Sequence, residues 1–353
     1  MFGIKKHKGL IWSVISSTLL LSSCNSTQKE AVEGISIFGE TQGTTYNVII
    51  AEQNSNVTQE RLDSLFLTFD RALSTYVESS VISNLNNSID SVSIEDVSGY
   101  FKECYEKSQS IYLLTDGYFD PSVFPLVKGW GFMHNMDTPL SQTEVDSILE
   151  FVDFSPGVHH EVAFKNNDIF FKKNHAQFMI DFNAIAQGQS VDVVDRFLTK
   201  EGHKNYYIEI GGEILVRGKN REGIDWRIGI DVPKENQEER NLENILSVSN
   251  KAVATSGNYR KFYVKDGVKY AHSLNPKTGF PVQHSLLSVT VITNDCAKAD
   301  GYATAFMVMG TETSLSFVKA HPELDLEVYL LSSDQKGGIV RSMSDGFLKY
   351  IAD

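Results

Sequence analysis

Positive charge is in short supply. Lys and Arg number 32 against 45 Asp and Glu, a formal net charge of −13. Three of those cations, Lys5, Lys6 and Lys8, precede residue 24, so the remainder is more acidic still. Such a body repels a phosphate backbone, which excludes non-specific nucleic-acid binding. Cysteine is scarce too: Cys24, Cys104 and Cys296 are the whole complement. Cys104 and Cys296 lie too far apart in the chain to read as a disulfide framework, and no Cys/His spacing suits zinc. Each falls in a helix-like segment, so two buried free thiols are expected. No run reaches the ~18–20 apolar residues of a membrane-spanning helix. No glycine cluster matches GxGxxG after a strand or GxxxxGK[ST], so neither a Rossmann cofactor site nor a P-loop is supported. Aromatic residues, by contrast, are plentiful, with 21 Phe and 14 Tyr in 353 residues. They supply ample surface to bury, excluding disorder over most of the chain, and the length suits two compact units or one large domain with lobes.

The N-terminus reads as an address. A basic stretch and the apolar run Leu10 to Leu21 lead to Leu21-Ser22-Ser23-Cys24. That order resembles a bacterial lipoprotein signal, in which the cysteine becomes the lipidated first residue. The expected organisation is a signal peptide over 1–23, a polar tether over 24–34 and one domain over 35–353. Cys24 would hold the protein to a membrane on its extracytoplasmic (periplasmic) side.

Within the body, Ile35 to Ile50 reads as strand, turn, strand. Leu62, Leu65, Phe66, Phe69 and Leu73 recur at helical spacing, and a second helix is expected from Val97 to Leu114, stopped by Asp116-Gly117. Ser141 and Glu144 form a capping box. Ile169–Phe171 and Met179–Asp181 read as strands, and a helix follows over Ala186–Lys200, ended by Gly202. A strand-rich stretch runs on to Ile292. Helices over Ala297–Met309 and Thr313–Ala320 precede terminal strands. Lys234–Arg240 reads as a solvated loop. Strands and helices mix without a βαβ rhythm, so the fold class is α+β, mixed sheets with packed helices.

Four stretches gather glycine, carboxylate and hydroxyl groups beyond what packing requires: Thr41–Tyr46, Gly117–Phe132, Asp181–Gly188 and Asp300–Thr304. In the last, Asp300 and Thr304 are four apart and project from one helical face. A carboxylate with a hydroxyl is a partial shell for Mg²⁺, which takes hard oxygens and completes its octahedron with water and phosphate. Alone, such a pair more often caps a turn and back-bonds to a carbonyl. Gly211-Gly212 after a strand usually marks only a hairpin turn, and a lone His272 is more often structural than catalytic.

In order, QGTTY (42–46), STY and ISNLN (74–76, 82–86), GYFDPSVFPLVKGWGF (117–132) and DFNAIAQG (181–188) are similar to segments of the ApbE family, the FAD:protein FMN transferases. GGEI (211–214), AVATSGNYR (252–260), HSLNPKTG (272–279) and ADGYATAFMVMG (299–310) continue the resemblance, which runs from about residue 36 to 331. It implies a T-fold-like, two-lobed architecture and a Mg²⁺-dependent transfer, with Mn²⁺ the alternative ion. FAD would be the substrate: FMN passes to a Thr or Ser hydroxyl of an acceptor, such as a membrane redox subunit, and AMP leaves. By matching position, Asp300, Thr304 and the Ala184 carbonyl would hold the metal. Gln42, Tyr76, Phe119, Asp120, Pro121, Asp181, Gln187 and Leu274 would line the FAD site. His272 falls where the family has its candidate base, with Asp300 the alternative. The chain departs from many relatives in having Gln42 for Met, Asn183-Ala184 for Gly-Gly and Gln187 for Lys. Gln187 donates a hydrogen bond but brings no charge. A Mg²⁺-dependent FAD pyrophosphatase and a non-catalytic FAD-binding lipoprotein are the rival readings.

Overall fold

The computed structural model describes residues 34–132, 139–233, 241–258, 262–265, 268–271, 273–334 and 336–352. It starts with a hairpin, β1 (Ile35–Thr41) and β2 (Thr44–Ile50), paired from Ile35↔Ile50 to Thr41↔Thr44. Gln42 and Gly43 at the tip both have positive φ, 53° and 71°, the backbone that a two-residue turn of matching twist requires. Helices α1 (Gln59–Leu73) and α2 (Val81–Asn87), strand β3 (Ser91–Glu95) and helix α3 (Tyr100–Leu114) follow. α1 buries Leu62, Phe66, Phe69 and Leu73, the expected stripe. α3 begins at Tyr100 and not at Val97, because the Asp96 carboxylate accepts from the N–H groups of Gly99, Phe101 and Lys102 and spends the preceding residues on a turn. A 3₁₀ turn, Pro121–Val123, runs into α4 (Phe124–Gly129), and α5 (Gln142–Leu149) starts at the anticipated Ser141–Glu144 capping box.

Next come β4 (His160–Lys165), β5 (Asp168–Lys173), α6 (Ala186–Lys200), β6 (Tyr206–Ile210), β7 (Glu213–Arg217), β8 (Trp226–Asp231) and β9 (Leu242–Val248). β10 (Lys251–Gly257), β11 (Phe262–Lys265), β12 (Val268–Ala271), β13 (Leu286–Thr293), α7 (Cys296–Met309), α8 (Thr311–Ala320), β14 (Glu327–Ser333) and β15 (Ile339–Met343) complete the chain. The main sheet has the order β1-β2-β6-β7-β10-β13-β14-β15; β3-β5-β4, β8-β9 and β11-β12 form smaller sheets. Its pairings are all antiparallel, and with packed helices this is the expected α+β class.

Alternation along the strands sorts the core into two layers. Leu215, Ala252, Ala254, Val289, Val291 and Leu330 face a large cluster shared with α1, α3, α6 and α7. Ile214, Val216, Val253, Ile292 and Leu331 face the other way, onto Trp226, Ile228 and Ile230 of β8, Leu246 and Val248 of β9, and Phe347. The small sheet β3-β5-β4 adds Ile169 and Phe171 to the first cluster, so the two parts of the body share one core. The described residues accordingly form one compact unit.

One expected strand is absent. Met179–Asp181 pairs with no strand among the described residues. The Asn86 side chain, 94 positions from Ile180, takes both of that residue's backbone groups: Ile180 N–H donates to Oδ1 at 2.8 Å and Nδ2 donates to Ile180 O at 2.8 Å. Asp181 N–H donates to Pro121 O. Cys104 and Cys296 are buried free thiols, as expected, and burial holds both well above the ordinary thiol range. The Lys234–Arg240 loop, Cys24 and His272 lie outside the described residues. Among the described residues, no helix is long and apolar enough to cross a membrane.

Candidate active site

A cleft of about 1500 Å³ collects segments that are far apart in the chain. Of the residues expected to contact FAD, Tyr76, Phe119, Asp120, Pro121, Asp181, Gln187 and Leu274 all line it. So do Ala184, Asp300 and Thr304. Gln42 does not. It sits at the β1–β2 tip, where its Oε1 accepts from Ser190 Oγ of α6 at 3.4 Å, and its buried Nε2 has no partner among the described residues.

The loop segments are held by side-chain caps within each and by hydrogen bonds between them. Asp120 caps the Pro121 turn, its Oδ1 accepting from Ser122 N–H at 2.7 Å and from Ser122 Oγ–H at 2.6 Å. Pro121 O receives Asp181 N–H at 2.8 Å. The Asp181 carboxylate in turn accepts from Asn183, backbone and side chain, at 2.7 and 3.1 Å. Leu274 packs with Leu126, Trp130 and Val145, and Trp130 Nε1–H donates to Gly279 O at 2.7 Å. Tyr76 is the exposed member of the set, 70% accessible at the rim.

The α6–α7 seam positions Asp300 and Thr304. α6 starts without a side-chain cap of its own. Its Gly188 N–H donates to Asp300 Oδ2 on α7 at 3.1 Å. Asp192 of α6 returns the favour, accepting from Cys296 and Ala297 N–H at the start of α7 at 2.8 and 3.0 Å. Each helix therefore caps the other's N-terminus, where orphan N–H groups and the helix dipole favour a carboxylate. Lys107 of α3 pairs with both Asp192 (3.1 Å) and Asp295 (2.7 Å) and fixes the seam from behind. The helices meet this closely only because residue 188 is glycine: a Cβ there would stand 2.3 Å from Cys296 O. The Gly211-Gly212 turn does more than close a hairpin. A Cβ on Gly211 would lie 2.9 Å from Gln187 Nε2, so the turn lies against that side chain.

Four carboxyls that line the cleft are buried, Asp120, Asp181, Glu213 and Asp300, and of these Asp120, Asp181 and Asp300 form no ion pair among the described residues. Burial pushes Asp120 and Asp300 up to about 7 and Asp181 up to about 6. A buried carboxylate without a partner either takes a proton or attracts a cation. Asp300 Oδ2 is committed to Gly188, and its other oxygen accepts no bond from the described residues. Thr304 Oγ1 has only a long contact, 3.4 Å, to Ser256 Oγ. Among the described residues no three His, Cys, Asp or Glu side chains gather as a metal site. The donors at hand are thus one carboxylate, one hydroxyl and backbone carbonyls. Such hard oxygens fit a small divalent ion that keeps water and substrate oxygens in its shell.

Asn86, Asp192, Lys107 and Gly188 are the supporting residues that local pattern did not single out. Asn86 and Gly188 stand at the ends of the segments ISNLN and DFNAIAQG, so the signal was present without its mechanism. Lys107 and Asp192 belong to no such segment.

A family model described as the ApbE family matches residues 42–330. The FAD:protein FMN transferase of Vibrio cholerae is 35% identical over 315 residues, 88% of this chain and 91% of that protein. That of Haemophilus influenzae is 31% identical over 347 residues, 96% and 97% of the two chains. Among solved structures, the flavin transferase ApbE from Vibrio cholerae matches with a TM-score of 0.78 at 32% identity, covering 90% of this chain and 99% of that one. The ApbE protein from Thermotoga maritima matches with a TM-score of 0.77 at 26% identity, covering 91% and 100%.

Proposed function

The chain belongs to the ApbE family, and from that premise we propose that it moves FMN from FAD to a Thr or Ser hydroxyl of an acceptor protein. The hydroxyl oxygen forms a phosphoester bond to the flavin-side phosphorus, the pyrophosphate P–O bond breaks, and AMP leaves. The observation that supports this reading is the convergence of the matched segments on one cleft in which the buried Asp120, Asp181 and Asp300 form no ion pair among the described residues.

A Thr hydroxyl is a poor nucleophile, and two esterified phosphates repel it. The reaction therefore needs a base and neutralisation of charge. In this proposal Asp300, Thr304 and the Ala184 carbonyl hold Mg²⁺, with Mn²⁺ as the alternative. When bound, that ion shields the pyrophosphate charge and stabilises the leaving AMP. Tyr76, at the rim, stacks on an aromatic ring of FAD. Asp120 and Asp181 are held in fixed orientation by Ser122 and Asn183 and receive hydrogen bonds from the substrate. Gln187 donates to FAD without adding charge. Gln42, behind the lining, orients α6 through Ser190. His272 takes the acceptor proton; an imidazole is partly a free base near neutral pH. Cys24 anchors the protein by lipid to a membrane, on the extracytoplasmic side, where the acceptor redox subunits present their hydroxyls.

The test is incubation with FAD, Mg²⁺ and a candidate acceptor, followed by intact mass of the acceptor and chromatography of the nucleotides. The expected result is a mass gain of one FMN less water, with one AMP per label. Free FMN plus AMP and an unlabelled acceptor would make the protein a pyrophosphatase. Stable FAD with no AMP would make it a flavin-binding protein.

A further inference from the structure

Strand β8 lines part of the cleft, and among the described residues it pairs on one side only, with β9. Which residues face the unpaired side follows from two bonds. Val232 N–H donates to Asn241 O, across the β8–β9 pair, at 2.8 Å. Ala352 N–H donates to Ile245 O, on the far side of β9, also at 2.8 Å. Backbone groups of successive residues alternate sides in an antiparallel pair. The register skip falls on the β9 side, so β8 itself alternates regularly. Ile228 and Ile230 therefore spend their N–H and C=O on β9, while Arg227 and Gly229 turn theirs outward. Arg227, Ile228, Gly229 and Ile230 all line the cleft. Successive strand side chains point to opposite faces, so a void bordered by four consecutive residues runs along the strand's edge.

We propose that this edge is where the acceptor docks: an extended segment of the acceptor protein adds as a strand beside Arg227–Gly229, which carries its Thr or Ser into the cleft. The proposal rests on the transfer reaction argued above. Open strand edges are templates for pairing, and strand addition draws its affinity from main-chain bonds. The cleft has room for it, because about 1500 Å³ exceeds the ~300–1000 Å³ that a single small-molecule site takes. None of the residues assigned to FAD or metal lies on β8. Recognition through the backbone would place few demands on the acceptor's side chains.

Proline tests this directly. It removes one N–H and is tolerated at an edge when that N–H faces away from the sheet. Arg227 and Gly229 are exposed, so neither change empties the core. Arg227→Pro and Gly229→Pro are compared with Arg227→Ala and Gly229→Ala, which keep the N–H. A Cβ at Gly229 meets only the movable end of Leu242, and the alanine control absorbs that effect. The acceptor is the candidate protein that the wild-type enzyme labels in the intact-mass assay. Each proline should raise the acceptor KM about fivefold, the loss of one ordinary backbone hydrogen bond. FAD affinity, read by flavin fluorescence, should stay near wild type, as should the alanine variants. Proline variants that melt and bind FAD like wild type and keep the wild-type acceptor KM would overturn the proposal. Where a proline variant misfolds, N-methylation along a synthetic acceptor peptide replaces it: affinity should fall at alternate positions, and a pattern without that period refutes strand addition. If wild-type enzyme labels no acceptor at all, the transfer reading itself fails, and docking at β8 falls with it.

Discussion

Gly188→Ala is a one-carbon change, and its predicted effect is large. In most helix interiors Ala is favoured over Gly by up to ~1 kcal/mol. At residue 188 the added Cβ would stand 2.3 Å from Cys296 O, 2.7 Å from Cys296 C and 2.8 Å from Asp300 Cβ. Two of those atoms are backbone at the start of α7, so the helices must separate. Overpacking of this kind costs roughly 1–3 kcal/mol. Separation also breaks the Gly188 N–H bond to Asp300, and a hydrogen bond to a charged group contributes about 1.5–3 kcal/mol. After the propensity gain, a net loss of about 2–4 kcal/mol remains, since the two costs share one displacement and do not simply add. Gly301→Ala, on α7 but facing α3, is the comparison. Its Cβ meets Ile111 Cδ1 at 2.6 Å, a side-chain end that can rotate away, so a loss of about 1 kcal/mol or less is expected. Urea unfolding of both variants gives the stabilities, and Mn²⁺ titration followed by electron paramagnetic resonance reads the position of Asp300. Gly188→Ala should weaken ion binding well beyond Gly301→Ala. Equal stability and equal ion affinity in the two variants would refute the account of the seam.

Other expectations concern single groups. Asp300→Ala should abolish metal-dependent turnover, whereas Thr304→Ala should retain part of it, because water replaces a hydroxyl in a Mg²⁺ shell more readily than a carboxylate; a Mg²⁺ titration of both compares them. His272→Ala should bind FAD normally and lose transfer by ~10²–10⁴-fold, as the loss of a general base does; recovery of the rate at saturating FAD in single-turnover flavinylation would end that assignment. His160 is buried against Phe154, Phe171 and Phe178, with Nε2 2.7 Å from Tyr105 Oη, and burial lowers it from 6.5 to about 4. The unfolded chain thus binds a proton that the native state refuses, so stability is full above pH ~6.5 and falls by up to about 3 kcal/mol on the way to pH 4. His160→Phe should flatten that limb of the urea-midpoint profile; an unchanged profile would mean that other groups produce it. Cys24→Ser should release the protein from membranes with its activity on a soluble acceptor intact, and continued membrane association would remove the lipid anchor.

Several elements of this chain carry their own instructions. The stripe in α1, the Ser141–Glu144 box, the glycine after α6 and the hairpin tip at Gln42-Gly43 are local, and each formed where pattern indicated. Asp300 and Thr304 share a helical face for the same reason: spacing on one helix suffices. Free energy that depends on distant partners was not legible. Met179–Asp181 has the composition of a strand, but its backbone bonds go to Asn86 and Pro121. The short helix α4 carries Pro125 in its first turn, where a missing N–H costs nothing. Helical spacing located α1, α3, α6, α7 and α8, because a 3.6-residue repeat is a property of one segment, whereas α2 and α4 were not anticipated. The exchange of caps between α6 and α7 and, among the described residues, the lack of a cation beside Asp120, Asp181 and Asp300 and the open edge of β8 were decided by tertiary structure, because each depends on what another segment brings within hydrogen-bonding distance.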